Sequence, residues 1–110
     1  MENTESTNMY PSVASIKAVV TAHFGLACIE MVSRRRARRY ARPRQIAMML
    51  ARDLTPCSYP EIGREFGNRD HTTVMHAVQV VEKMSGEDAE FAAILEVLRA
   101  EVLSRFRVAA

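Results

Sequence analysis

Residues 70 to 73 run Asp-His-Thr-Thr, and His76 follows three positions later. A carboxylate, two imidazoles and two hydroxyls are thus gathered in about two helical turns. Short side chains of this kind, at the leading end of a helix narrow enough for a major groove, suit the reading of base edges, and a threonine methyl can touch the methyl of thymine. Upstream, residues 34 to 44, RRRARRYARPR, hold seven arginines and no acid. Cations at that density suit phosphate oxygens. Plainer roles compete with both. A run of arginines is usually a solvated surface, a threonine near a helix start is often only a cap, and a lone helical histidine is most often structural.

Other chemistry fits poorly. His71 and His76 lie five apart, about 140° around a helix, whereas paired histidine ligands on a helix usually sit four apart. His23 is expected at the surface or the core edge. Cys28 and Cys57 form no CxxC pair, and both are expected as reduced, partly buried thiols of a cytosolic protein. Neither shows the local pairing of a nucleophile with its base. Seven methionines stand at helical spacing and are expected to fill a core. The four glycines form no GxxxxGK followed by Ser or Thr, so ATP binding is not expected. No catalytic residue, cofactor or metal is assigned, and the chain is not expected to be an enzyme.

The positive charge is local. The net charge is +2, yet outside the seven arginines eight basic residues face thirteen acids, a balance of −5. That pattern suits a docking edge for a polyanion. A chain of 110 residues fits one domain with one core. No apolar run has the length of a membrane span, and the polar start MENTESTNMYPS lacks the features of a secretory signal. A cytoplasmic, nucleoid-associated protein is expected. Met1 and the polar tail are taken as the start of a complete small protein.

The elements that must position these residues follow from periodicity. Residues 1 to 10 are expected as a disordered tail and 11 to 110 as a single domain. Ile16, Val19, Val20 and Phe24 mark a first helix, stopped by Gly25. Leu26 to Val32 is expected as one or two turns ending at Ser33. Pro43 is expected at the first position of a new helix, with Ile46, Met49, Leu50 and Leu54 on its face. Ser58-x-x-Glu61 is a capping-box pattern, with Ile62 and Phe66 on the buried side of the short helix it opens. Gly67-Asn68 makes a turn, Asp70 is an N-cap, and Val74, Ala77, Val78 and Val81 face inward from the next helix. Ser85-Gly86 is expected to close it. A last helix from about Asp88 to Arg107 carries Phe91, Ile94, Leu95, Leu98, Val102 and Phe106 on one stripe. No strand pattern appears, and the fold class is all-α: a compact multi-helix domain containing a helix-turn-helix.

The strings ARPRQIAMMLARDLT, SYPEIGREFG and RDHTTVMHAV resemble the C-terminal DNA-binding domain of the bacterial chromosomal replication initiator DnaA, from about Ile16 to Met84. The resemblance implies recognition of the nine-base-pair initiator boxes of replication origins and some promoters. It implies Arg36 in the minor groove, Asp70, His71 and Thr72 on base edges, and Pro60 against a thymine methyl. It places Arg44, Gln45, Arg69, Thr73 and His76 on phosphates, with Arg52 assisting. Four positions depart from the pattern: Asn68 stands for a second turn glycine, Tyr59 for a leucine, and Gln79 and Val80 for basic residues. Asparagine tolerates left-handed angles, so the turn is expected to survive; Arg38 and Arg39 are the cations available to offset the loss at 79 and 80.

The expectation is a sequence-specific double-stranded DNA-binding protein that regulates replication initiation or transcription without ATPase activity, as a monomer rather than a dimer. Two alternatives stand beside it. One is a protein-interaction adaptor that acts on the replication initiator or its regulators; the other is a repressor of a mobile element.

Overall fold

A computed structural model of the chain describes residues 9–33 and 38–109. The expected tail over 1 to 10 lies mostly outside the described residues, and so does Arg36. Ser12 starts helix α1, Val13–Phe24, its hydroxyl accepting from the Ser15 N–H at 3.1 Å. Gly25 ends α1 at φ 68°, and the Leu26 N–H closes back on the Thr21 carbonyl at 2.8 Å, the wrap that satisfies helix-end carbonyls. A short 3-10 helix, Cys28–Met31, follows and buries Met31 completely.

Helix α2 is Arg38–Leu54, with Pro43 inside it. It therefore begins five residues earlier than Pro43 was expected to allow. The missing proline N–H would have bonded to the Arg39 carbonyl, close to the helix start, so a single bond is lost and the helix persists. Helix α3 is Tyr59–Glu65. Helix α4 is His71–Glu87, passing through the Ser85-Gly86 stop expected from the sequence. Gly86 takes no positive φ there; Asp88 makes the break instead. Its N–H bonds to the Met84 carbonyl at 2.9 Å, and its carboxylate accepts from Glu90 and Phe91 N–H at 3.0 and 3.2 Å. Helix α5, Ala89–Ala109, starts from that cap. All regular structure among the described residues is helical.

Helix α4 is the hub, packing on α2, α3 and α5, while α1 packs on α2 and α5. The core joins Ile16 and Val20 of α1, Ile46 and Leu50 of α2, Ile62 of α3, Val74 and Val81 of α4, and Leu98 and Val102 of α5. Met48 and Met49 belong to it, whereas Met9 and Met75 are exposed. On α5, Leu95, Leu98 and Val102 are buried, and Phe91 and Ile94 flank them, as their spacing predicts. Lys17 of α1 donates to the Glu65 carbonyl and lies 4.9 Å from the Phe66 ring centre, so α1 also supports the end of α3.

Candidate nucleic-acid interface

The helix-turn-helix is built by local rules. Ser58 and Glu61 form the reciprocal cap their spacing predicts: the Ser58 N–H donates to the Glu61 carboxylate at 2.7 Å, and the Glu61 N–H to the Ser58 hydroxyl at 3.3 Å. The bond from the Ser58 backbone holds the Glu61 carboxyl below its ordinary pKa. Ile62 and Phe66 are fully buried. Gly67 at φ 85° and Asn68 at φ 57° make the turn, and asparagine accepts the left-handed angle as anticipated. The Arg69 N–H then bonds to the Gly63 carbonyl at 2.8 Å. The approach is so close that a Cβ on Gly63 would lie 2.1 Å from the Arg69 carbonyl oxygen.

That turn delivers the leading end of α4 to solvent. Asp70, His71, Thr72, Thr73 and His76 are all exposed, while Val74, Ala77 and Val78 on the opposite face enter the core. Thr72 and His76 are one turn apart and share a face. Asp70 occupies the N-cap position, but its side chain makes no capping bond to the helix start. Its carboxylate instead accepts from the Thr72 hydroxyl and lies 3.3 Å from His71 Nδ1. The Thr72 bond is the main reason the Asp70 carboxyl is held below its usual pKa. The three side chains are thus ordered among themselves at an open helix end.

Arg44 and Arg69 are placed differently. Arg44 is 7% exposed. Its Nε donates to the Met31 carbonyl at 3.2 Å, and Nη2 donates to Glu30 and Ser33 carbonyls at 3.0 and 3.3 Å. Burial, and then the neighbouring Arg69, lowers the Arg44 pKa from the ordinary guanidinium value. Arg69 donates to the Phe66 carbonyl and, at 2.8 Å, to the same Ser33 carbonyl. Two cations expected at phosphates therefore grip the protein's own backbone where residues 30 to 33 meet the turn. A Cβ on Gly67 would come within 2.5 Å of the Val32 carbonyl oxygen, so the turn and that segment are in close contact.

The remaining positions lie along α2 and the start of α3. Gln45 is half-buried and accepts from Arg42 at 2.6 Å. Arg52, two turns further along the same face of α2, lines an open cleft of about 460 Å³ with Ser58, Tyr59 and Pro60. Pro60 is exposed, and Tyr59 packs against the core. Arg52 also bonds to Glu82 at 2.9 Å and to Asp53 at 2.7 Å. Hydrogen bonding to Glu82 above all, then to Asp53 and Tyr59, raises its pKa above the ordinary guanidinium value against an opposing effect of burial. Sequence reasoning missed Glu82 and the Ser33 carbonyl. Neither carries a local signal, since their partners lie 30 and up to 36 residues away.

Among the described residues no cluster of three His, Cys, Asp or Glu could hold a metal ion. Cys57 is half-buried and Cys28 is exposed rather than partly buried, and both thiols are free. No described helix is long and apolar enough to cross a membrane.

A short capped helix, a left-handed turn and an exposed polar helix start define the helix-turn-helix class. Residues 13–81 match the family described as the bacterial dnaA protein helix-turn-helix, and the chain belongs to that family. The chromosomal replication initiator protein DnaA of Sphingopyxis alaskensis is 49% identical over 98 residues, covering 89% of this chain and 22% of that protein. The DnaA of Gluconobacter oxydans is 52% identical over 88 residues, covering 80% of this chain and 18% of that protein. The crystal structure of a DNA replication initiation factor superposes with a TM-score of 0.77 at 29% identity, covering 86% of this chain and 29% of that one. The chain thus spans about a fifth of the length of these curated relatives.

Proposed function

We propose that this chain binds double-stranded DNA at initiator-type boxes and regulates replication initiation or transcription without nucleotide turnover of its own. The observation that carries the reading is the solvent-exposed Asp70–Thr73 segment at the start of α4, held in place by α3 and the Gly67-Asn68 turn. Asp70, His71 and Thr72 read base edges, Arg36 enters the minor groove, and Pro60 meets a thymine methyl. Gln45, Arg52, Thr73 and His76 hold phosphates. Arg44 and Arg69 contribute chiefly by bracing the backbone beneath the turn, because their donors already serve carbonyls.

Selection of bound sites from random duplexes in defined salt tests the reading, and enrichment of one nonamer family is expected. Replacing His71 or Thr72 by alanine is then expected to cost about 1–3 kcal/mol on the selected box and little on a scrambled duplex. Equal losses on both would show that these side chains do not read bases.

A second reading, the protein-interaction adaptor, draws on the groove between α1 and α5. Val97 is 58% exposed there, beside Val19, Ala22 and Leu98. A capture that survives nuclease treatment, together with no enriched nonamer, would favour it.

A further inference from the structure

Arg52 stands where α2, α3 and α4 meet. On one side opens the cleft it shares with Ser58, Tyr59 and Pro60. On the other side lie two carboxylates, Glu82 at 2.9 Å and Asp53 at 2.7 Å. Their positions differ. Asp53 also accepts from Arg99 of α5 at 3.3 Å, so it is held between two cations. Glu82 reaches Arg52 from α4 with a side chain that is 53% exposed. A carboxylate oxygen and a phosphate oxygen are alike as acceptors for a guanidinium fork.

We infer that Glu82 is an internal competitor for the phosphate seat of Arg52, a carboxylate that DNA must displace or share, and that it thereby sets how tightly this chain holds DNA. The inference rests on the DNA-binding reading given above. It adds a residue that touches no DNA and acts through Arg52. A purely structural account of the same pair is a staple between α2 and α4, and it predicts the opposite change in affinity when the pair is broken.

A double-mutant cycle separates the two. Wild type, Glu82→Gln, Arg52→Met and the double variant are titrated with a selected box and with a scrambled duplex over a salt series, and thermal unfolding of each is followed. Glu82→Gln is expected to bind both duplexes about two- to fivefold tighter, in keeping with the strength of an exposed ion pair. Its salt slope is expected to steepen by up to about 0.9, one phosphate contact. In the Arg52→Met background the same change is expected to give no gain. An equal gain in that background would mean general charge repulsion and would overturn the inference. Unchanged or weaker binding by folded Glu82→Gln would overturn it in favour of the staple. Should Glu82→Gln not fold, Glu82→Asp, whose carboxylate is withdrawn by one methylene, is judged by the same criteria. Wild type that binds box and scrambled DNA equally overturns box recognition but leaves the Glu82 cycle readable; wild type that binds neither overturns both.

Discussion

Arg44 shows how a cation can brace an exposed surface from beneath it. Its guanidinium is almost wholly enclosed and donates to the carbonyls of Glu30, Met31 and Ser33. Arginine keeps its charge in such a place, and its fork matches several acceptors at once. Replacing it by methionine keeps the aliphatic stem and takes the guanidinium donors from the Glu30 and Met31 carbonyls, while Ser33 still accepts from Arg69. Arg44→Met is therefore expected to lower stability by about 2–3 kcal/mol in urea unfolding, the usual cost of losing charged hydrogen bonds at a buried site. A loss below about 0.5 kcal/mol would mean that water replaces the guanidinium. The sequence marks Arg44 only as one of seven clustered arginines. Its acceptors are backbone atoms 11 to 14 residues upstream, and no side-chain pattern announces a carbonyl.

Between elements, contact distance decides how far the sequence can be trusted. Helix α3 meets the chain entering α4 with no side chain between them, and a Cβ on Gly63 would strike the Arg69 carbonyl. Backbone cannot rotate aside as the end of a long side chain can. Gly63→Ala is thus expected to destabilise by at least about 1–3 kcal/mol, seen as a lower thermal midpoint, and to weaken box binding by shifting the start of α4. An unchanged midpoint would show that α3 and the turn separate freely. Rules acting over three or four residues were legible here: the Ser58 cap, the Gly25 stop, the left-handed Asn68 and the apolar stripes of α4 and α5 all appear where spacing puts them. Pro43 and Gly86 misled because each weakens a helix without being bound to end it. A proline near a helix start removes one bond, and a glycine without a positive φ costs only about 1 kcal/mol relative to alanine. The polar start of α4 was legible as chemistry; the Arg52–Glu82 and Arg69–Ser33 contacts were not, because they exist only after α2, α3 and α4 have packed.

At the scale of the whole molecule, a single core ties the exposed start of α4 to the other helices. Helix α4 offers polar groups at its first turns and apolar ones to α2, α3 and α5, so the orientation of its tip is fixed by packing along its length. The described residues extend 43 Å along their longest axis. A nine-base-pair box is about 31 Å long at 3.4 Å per base pair. One copy is therefore long enough to span a box. Helix-turn-helix proteins that act as dimers need two half-sites about 34–36 Å apart, centre to centre, and a nonamer is too short to provide them. The proposed function then carries a stoichiometry: one chain per box, with no requirement for a palindrome. Light scattering of the complex with a duplex holding one selected nonamer is expected to give a mass of one chain plus one duplex, and a duplex with two boxes is expected to take up two chains. Two chains on a single box would contradict this. The groove beside Val97 between α1 and α5 would then be the first surface to examine for a self-contact.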